Sequence, residues 1–452
     1  MKKVLVIALL ILSLSALSQP NIIIIYLDDA PNGLTHSTGG PDFVQTPNID
    51  RLYDSSMNFK NNYVAISLCA PSRAVLMTGN YPCNTGVTDN NTQSNLNMSL
   101  PTFGHQLKQA GYYTAAIGKY HGIIGVNGSY DWSYRLESVS SQGDKNIKWS
   151  RNGKDPKKAG QDTLITKVII DTAVAIIQRI QQPKFILLSL RCPHTPTEVP
   201  PPYDHVYDNN ALQWGADTAK YTSDYPSFLY GLPGKNYKTT AKITPLVKEQ
   251  HKSIAYLDER IGYLLNSIDP NTMVIFTSDN GFLNDNHGLY GKRWPYKQSV
   301  EVPLSIWYNQ WFAPGESELF TSSVDLYATI LHAAGLTHDG SQGYSIKDLY
   351  DSVVARPFAY YSMPYTAEEN NEGMAFSRAV WDQNYKLISF GCNEMAEQFF
   401  DLQADPLETI NIINEPSQHT NIQFYRTKLV ELSETYGDTI PGVILNCNLI
   451  EN

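Results

Sequence analysis

The chain has 452 residues, more than the about 100–200 of a typical domain, so we expect one large α/β domain or two domains. Hydrophobic residues make up 42% of the sequence and charged residues 17%, which excludes a disordered chain and provides apolar material for a large core. The formal net charge of −10 argues against a surface for nucleic acid or an anionic membrane, so any bound anion must be held locally.

The first 18 residues resemble a secretory signal. Lys2 and Lys3 precede an apolar stretch from Val4 to Leu17, and the small residue Ser18 suits a cleavage position. We therefore predict a signal peptide over 1–18 and export to the periplasm or the extracellular space. A spanning helix needs about 20 apolar residues, so we expect no membrane association after cleavage.

Apolar runs alternate with helical patterns over residues 19–355. Strands are predicted at 21–27, 112–117, 185–190, 273–277 and 302–308, and helices at 103–110, 162–180, 247–268 and 325–334. This alternation predicts a large, mostly parallel sheet with helices on both faces.

The pattern changes after about residue 355. Short strands are predicted at 358–361, 375–381, 385–389 and 398–402, followed by a helix over 422–436. We expect residues 356–452 to form a smaller antiparallel sheet with a helix, packed on the first domain. The segments 129–158 and 200–242 are too long for ordinary connectors, and we interpret them as loops that shape a binding pocket.

Polar residues follow four of the predicted strands. They are Asp28 and Asp29, Lys119 and His121, His194, and Asp279 and Asn280. Ligands in a parallel sheet bind at the carboxyl ends of its strands, so these four distant segments are expected to converge on one crevice. Three carboxylates and one amide oxygen suit Ca²⁺ better than Zn²⁺, which prefers His and Cys ligands. For Asp28 and Asp29 alone, a helix cap or a loop turn is the simpler interpretation.

A short helix is predicted over the segment Leu68 to Gly79, with Pro71 in its first turn and Gly79 as its stop. Cys69 lies near the N-terminus of this helix, which favours an anion, and Arg73 follows one turn later on the same face. This arrangement indicates a nucleophile beside an anion site. The alternative is a structural cysteine, with Arg73 in a surface ion pair.

The segment Cys69-Ala70-Pro71-Ser72-Arg73, followed by Thr78-Gly79-Asn80-Tyr81-Pro82, resembles the sulfatase signature. Further segments match the family in order: Leu27-Asp28-Asp29, Thr46-Pro47-Asn48-Ile49-Asp50, Gly118-Lys119-Tyr120-His121, Pro193-His194, Ser278-Asp279-Asn280-Gly281 and His287-Gly288-Leu289-Tyr290-Gly291-Lys292. The resemblance spans most of the mature chain. It implies a type I, formylglycine-dependent sulfatase with the alkaline-phosphatase superfamily fold, similar to exported polysaccharide and glycosaminoglycan sulfatases.

The resemblance also implies roles for individual residues. A formylglycine-generating maturation enzyme would oxidise Cys69, and the hydrated product would be the nucleophile. Ca²⁺ would be bound by Asp28, Asp29, Asp279, Asn280 and the modified Cys69. Lys119 and Lys292 would contact the sulfate, and His121 would act as the base. His194 would protonate the leaving alcohol or hold the bridging oxygen of the sulfate, and Arg73 would complete the catalytic set.

The chain departs from the family pattern at Lys297 and Glu301, which exchange the signs of a Glu and an Arg found in related sulfatases. An ion pair with exchanged signs is one interpretation, since the two residues are four apart. In the other, Lys297 competes with Lys292 for the sulfate.

The five cysteines leave one unpaired. Cys83 with Cys192, and Cys392 with Cys447, would leave Cys69 free, although sequence alone does not give the connectivity.

The leading hypothesis is an exported sulfatase acting on a sulfated carbohydrate, with Trp132, Trp149 and Trp214 in the long loops available to stack on sugar rings. Two alternatives stay open: a phosphonate monoester or phosphodiester hydrolase with the same site, and a carbohydrate-binding protein whose Cys69 is never matured. A two-zinc phosphatase is disfavoured, because it would need further His and Asp ligands. The sugar and the oligomeric state are not given by the sequence.

Overall fold

The structure is a computed structural model that describes residues 19–90, 96–120, 128–136, 148–151, 157–158, 164–197, 199–212, 240–364, 376–391 and 396–438. The predicted signal at 1–18 lies outside these ranges. So do His121, Trp214, Cys392 and Cys447.

The strands lie in three sheets. In chain order they are β1 (Asn21–Asp28), β2 (Met57–Tyr63), β3 (Tyr113–Lys119), β4 (Trp132–Leu136), β5 (Lys148–Arg151), β6 (Lys157–Lys158), β7 (Lys184–Pro193), β8 (Thr272–Ser278), β9 (Leu283–Asn284), β10 (Tyr290–Gly291), β11 (Leu304–Trp307), β12 (Gly315–Ser322), β13 (Ala359–Met363), β14 (Phe376–Trp381), β15 (Tyr385–Gly391) and β16 (Ala396–Asp401). The large sheet has the order β12-β2-β11-β8-β1-β7-β3-β4-β5-β6, and its five central strands from β8 to β4 are parallel. The predicted mostly parallel sheet is confirmed.

Helices cover both faces of the large sheet. They are α1 (Pro47–Asp54), α2 (Cys69–Thr78), α3 (Pro82–Thr85), α4 (Phe103–Gln109), α5 (Ile165–Arg179), α6 (Thr240–Leu265), α7 (Lys297–Val300), α8 (Asp325–Ala333), α9 (Ile346–Tyr350) and α10 (His419–Thr435). Among the described helices, none is both long and apolar enough to cross a membrane.

Strand β1 shows how the two faces are built. Its side chains alternate, as in any strand: Ile22, Ile24 and Tyr26 join the core beneath α4 and α8, whereas Ile23, Ile25 and Leu27 join the core beneath α1, α5 and α6. All six side chains are buried. A continuous apolar run is therefore required here, because both faces of this strand are covered.

The C-terminal strands form a separate antiparallel sheet in the order β13-β14-β15-β16, against which α10 packs. The predicted small antiparallel sheet and helix are confirmed. A hydrophobic cluster joins this sheet to the rest of the molecule, with Trp381 and Phe399 on one side and Val64 and Tyr296 on the other.

Some sequence predictions are wrong. The segment 129–158 contains strands β4, β5 and β6, which extend the large sheet at one edge, where we expected a loop. Trp132 lies in β4, with the guanidinium of Arg151 3.8 Å from the centre of its ring. Strands β2 and β12 were not predicted, because both are mostly polar: the hydrophobic residues are Met57, Phe59 and Tyr63 in β2, and Leu319 and Phe320 in β12.

The suggested bond between Cys83 and Cys192 is also wrong, since the two do not form a disulfide. The Cys83 Sγ lies 3.7 Å from the carbonyl oxygen of Tyr436. Cys192 lies at the end of β7, and its Sγ is 3.4 Å from the Oγ of Ser253 in α6. The two thiols belong to different parts of the fold, so the number of cysteines does not show which of them pair.

We predict that Gly118→Ala lowers the free energy of unfolding by about 3 kcal/mol or more. Gly118 has a φ of +117°, and a Cβ there would lie 1.9 Å from the backbone oxygen of Ser189 on β7. The control is Gly111→Ala, which has a φ of +90° but no neighbouring atom within 4 Å of the new Cβ. Gly111→Ala should lower the free energy of unfolding by only about 1–2 kcal/mol, which is the cost of the left-handed backbone conformation alone. Equal losses in urea titrations of the two variants would contradict the close-approach argument.

Candidate active site

The carboxyl ends of β1, β3, β7 and β8 meet at one edge of the large sheet. Leu27 on β1 pairs with Ser278 on β8, and Gly118 on β3 pairs with Ser189 on β7. Parallel strands in this register bring the residues that follow them to the same place. Four segments separated by up to about 250 positions in sequence therefore supply one site, as at other parallel sheets.

Three carboxylates, those of Asp28, Asp29 and Asp279, form what we call the acidic cluster. Together with the Cys69 thiol, they offer one ligand atom each within 4.8 Å of one another, and all four residues are buried. Neighbouring residues of a strand normally point to opposite faces. Asp29 has a φ of 63°, so the chain leaves the strand geometry there and both carboxylates reach the same cluster.

Cys69 is the first residue of α2, with Leu68 as its N-cap. Its thiol donates to the Oδ1 of Asp28 at 3.3 Å and lies 3.7 Å from the Oδ1 of Asp29. The Asn90 Oδ1 accepts the backbone N–H of Ala70 at 2.9 Å, which satisfies one free donor of the helix end. Burial raises the pKa of the Cys69 thiol, so the unmodified side chain stays protonated at neutral pH.

Arg73 turns inward from α2, and its side chain is 1% exposed. The Nη2 donates to the Oδ2 of Asp279 at 2.6 Å, and the Nη1 donates to the carbonyl oxygen of Lys119 at 3.1 Å and to the Oγ of Ser189. Arg73 thus holds Asp279 in place and connects it to the ends of β3 and β7.

Two lysines contact the acidic cluster. The Lys119 Nζ donates to both carboxylate oxygens of Asp28, at 2.8 and 2.6 Å. Lys292, which follows β10, donates to the Oδ1 of Asp29, and its Nζ lies 2.6 Å from the Cys69 Sγ. The site therefore places an ammonium group directly against residue 69.

The charges of the site balance. The acidic cluster contributes three negative charges, and Arg73, Lys119 and Lys292 contribute three positive ones. Burial acts to raise the pKa of Asp28, but the adjacent Lys119 and other cations hold it well below its ordinary value. For Asp279, burial outweighs the opposing charge of Arg73 and raises the pKa to about 6.

His194 stands at the rim, directly after β7. Its Nε2 lies 3.7 Å from the Oδ2 of Asp29, and its side chain is 27% exposed. The Nδ1 is buried and has no hydrogen-bond partner among the described residues. Burial lowers the pKa of His194 against the opposing charge of Asp28. His121 lies outside the described residues, so its place as base stays a prediction.

Lys297 does not reach the acidic cluster. Its Nζ lies 3.8 Å from the Oε2 of Glu301, and its side chain is 37% exposed. Glu301 also accepts from the Nδ2 of Asn32 at 2.9 Å. The interpretation as an ion pair with exchanged signs is confirmed.

The residues present fit a hard divalent cation. The possible ligands are the three carboxylates of the acidic cluster and the thiol of residue 69, with no histidine among them. A set dominated by carboxylate oxygens suits calcium better than zinc. Asn280 donates its Nδ2 to Asp29 at 2.7 Å, but its Oδ1 is buried without a hydrogen-bond partner among the described residues. A buried acceptor without a donor is what a cation would satisfy.

Sequence reasoning missed two contributors to the site. Ser189 could have been found from strand register, since it lies opposite Gly118 in the adjacent strand. Asn90 carries no recognisable signal, because it reaches the start of α2 from a loop 20 positions away.

Comparisons with known proteins identify the family. Residues 20–336 match the sulfatase family, and residues 285–435 match the C-terminal region of N-sulphoglucosamine sulphohydrolase. The chain is 28% identical over 437 residues to choline-sulfatase of Rhizobium meliloti, covering 88% of this chain and 83% of the relative. It is 27% identical over 500 residues to N-acetylglucosamine-6-O-sulfatase of Bacteroides thetaiotaomicron, covering 94% of this chain and 88% of the relative.

A solved structure is also similar throughout. It is a complex of a protein with its substrate D-glucosamine-2-N,6-O-disulfate, 25% identical to this chain with a TM-score of 0.81, covering 94% of this chain and 99% of the other. Together with the family match over residues 20–336, this shows that the chain belongs to the sulfatase family, within the alkaline-phosphatase superfamily, and is a sulfuric ester hydrolase.

Proposed function

We propose that this chain is an exported sulfatase that hydrolyses sulfate esters of a carbohydrate after conversion of Cys69 to formylglycine. The observation that carries the proposal is the position of Cys69, at a helix N-terminus, 3.3 Å from Asp28 and 2.6 Å from the ammonium of Lys292. A neutral, buried thiol is a poor nucleophile. Formylglycine hydrate would supply two hydroxyl groups on one carbon, one to attack sulfur and one to release sulfate.

Ca²⁺ would be held by Asp28, Asp29, Asp279, Asn280 and the modified residue 69. A divalent cation would change the balanced charge of the site to about +2, which favours an anionic sulfate ester in a water-poor cavity. Arg73 would keep Asp279 directed at the cation, because it is held by three partners and does not face solvent.

The chain's own residues supply the remaining steps. The ammonium groups of Lys292 and Lys119 would bind the sulfate oxygens and stabilise the charge that develops on them. His194 would donate a proton to the oxygen of the departing alcohol, since it is a titratable and partly exposed group beside Asp29. Overall, a sulfate ester and water give sulfate and an alcohol.

The carbohydrate part of the proposal is supported by two relatives whose names or titles specify amino-sugar sulfates. Choline-sulfatase, at similar identity, suggests a small alcohol instead. We propose in addition that residues 1–18 are removed on export, that a formylglycine-generating enzyme matures Cys69, and that the chain divides near residue 355 into a catalytic domain and a C-terminal domain.

Maturation is tested by mass. Coexpression with a formylglycine-generating enzyme should lower the mass of the tryptic peptide 61–73 by about 18 Da, and sulfate ester hydrolysis should rise with the converted fraction. Cys69→Ala should abolish both signals, whereas Cys83→Ala, the control thiol beside Tyr436, should retain them. A fully converted protein that binds sulfated sugars without hydrolysing them would contradict the proposal.

The cation is tested by calorimetry and thermal unfolding. Ca²⁺ should stabilise the protein by about 2.7 kcal/mol when present at a hundred times its Kd, because it binds the native chain only. Asn280→Ala should weaken binding at least about tenfold through loss of a ligand oxygen. The control is Asn284→Ala, four residues further along, which removes an amide that donates to the Gln250 Oε1 at 3.0 Å and should bind Ca²⁺ as the wild type does. Equal affinities of the two variants would rule out Asn280 as a ligand.

Kinetics separate the two lysines. Lys292→Ala should lower kcat by about 100-fold or more, because its charge acts in the transition state. Lys297→Ala should change kcat less than about threefold, because Lys297 pairs with Glu301. The reverse ranking would show that Lys297 contacts the sulfate.

The same assay, run with glucosamine 6-sulfate, choline sulfate and a phosphonate monoester, should give the highest kcat/KM on the sugar sulfate. A preference for the phosphonate would favour the phosphonate hydrolase alternative.

A further inference from the structure

A closed ring of hydrogen bonds joins the segment before Cys69, the segment after Lys292 and the C-terminal sheet. The backbone N–H of Arg293 donates to the Ser67 Oγ at 3.1 Å, and the Tyr361 hydroxyl donates to the carbonyl oxygen of Arg293 at 2.9 Å. The Ser67 and Tyr361 oxygens lie 2.8 Å apart. Tyr361 has one hydroxyl proton, already given to Arg293, so Ser67 donates the third bond.

The ring fixes a strained peptide. Arg293 has a φ of 91°, a left-handed conformation that is unfavourable for any residue other than glycine. Such a conformation persists only where its surroundings determine it, and here both the N–H and the C=O of Arg293 are held by the ring. The direction of the preceding residue, Lys292, depends on this peptide.

The ring is also rigid and shielded from water. Ser67 and Tyr361 are fully buried. Strand β13, which carries Tyr361, is tied to the same segment a second time, because the N–H of Ser362 donates to the carbonyl oxygen of Ala65 at 2.9 Å. In a buried setting, a hydroxyl without its partner is costly, so this arrangement is well defined.

We infer that Tyr361 is a positioning residue: its hydroxyl aligns Lys292 with residue 69, so the C-terminal sheet sets the geometry of the reacting groups without contacting the substrate. This inference rests on the proposed function, in which Lys292 binds the sulfate. Cys69 lies two residues after Ser67, and Lys292 lies one residue before Arg293, so one side chain controls both partners of the 2.6 Å contact.

The test compares Tyr361→Phe with Tyr360→Phe in fully matured protein. Tyr360 is the adjacent buried residue, and its hydroxyl donates to Asp438 at 2.7 Å, away from Lys292. Tyr361→Phe removes two buried hydrogen bonds, those with Arg293 and Ser67, and Tyr360→Phe removes one, so Tyr361→Phe should lose somewhat more stability. Tyr361→Phe should lower kcat by about ten- to a hundredfold with KM within about threefold, whereas Tyr360→Phe should keep both parameters near the wild type.

A double-mutant cycle gives the decisive readout. If Tyr361 acts through Lys292, adding Tyr361→Phe to Lys292→Ala should change kcat by less than about twofold. Additive effects would overturn the inference, as would equal kinetics of the Tyr361 and Tyr360 variants. If Tyr361→Phe does not fold, Ser67→Ala takes its place in the same cycle, and additivity there has the same meaning. A matured wild type inactive on every sulfate ester would refute the proposed function instead.

Discussion

The structure depends on compensating buried charge at the carboxyl edge of the parallel sheet. Asp28, Asp29 and Asp279 are almost fully buried, and each is matched by a cation delivered from a different segment. Removing one partner of a buried ion pair leaves an uncompensated charge and typically costs about 3–5 kcal/mol. The acidic cluster, α2 and the Lys292 segment therefore fold as one unit, and the site exists only when all of them are in place.

The sequence predicted the parallel sheet and the position of the site because both follow from simple periodicity. An uninterrupted apolar run such as Ile22 to Leu27 is typical of a strand buried on both faces, and polar residues directly after several such strands must meet at one edge. The signature around Cys69 added the chemistry. These features are local in sequence, and so they can be read from it.

Other features depend on tertiary context. Strand β2 is mostly polar and becomes part of the sheet only because β11 and β12 lie beside it. The spacing within α2 places Arg73 on the same face as Cys69, but its partners, Asp279 and the end of β3, come from distant segments and no pattern within α2 reveals them. Likewise, Cys83 and Cys192 remain apart because each packs against a different neighbour, Tyr436 or Ser253.

The C-terminal sheet contacts the segment that carries Lys292, which the sequence did not suggest. Tyr361 reaches the peptide after Lys292, and Tyr296, nearby in the chain, donates to Gln398 of β16 at 2.8 Å. The loop that carries Lys292 is therefore held between the two sheets.

The proposed function requires the acidic cluster and residue 69 to hold a divalent cation together. Anomalous diffraction from crystals of matured protein grown in Ca²⁺, recorded at long wavelength, tests this requirement most directly. One strong peak is expected, surrounded by Asp28, Asp29, Asp279, Asn280 and residue 69. No peak there at saturating calcium, or a peak coordinated by other residues, would contradict it.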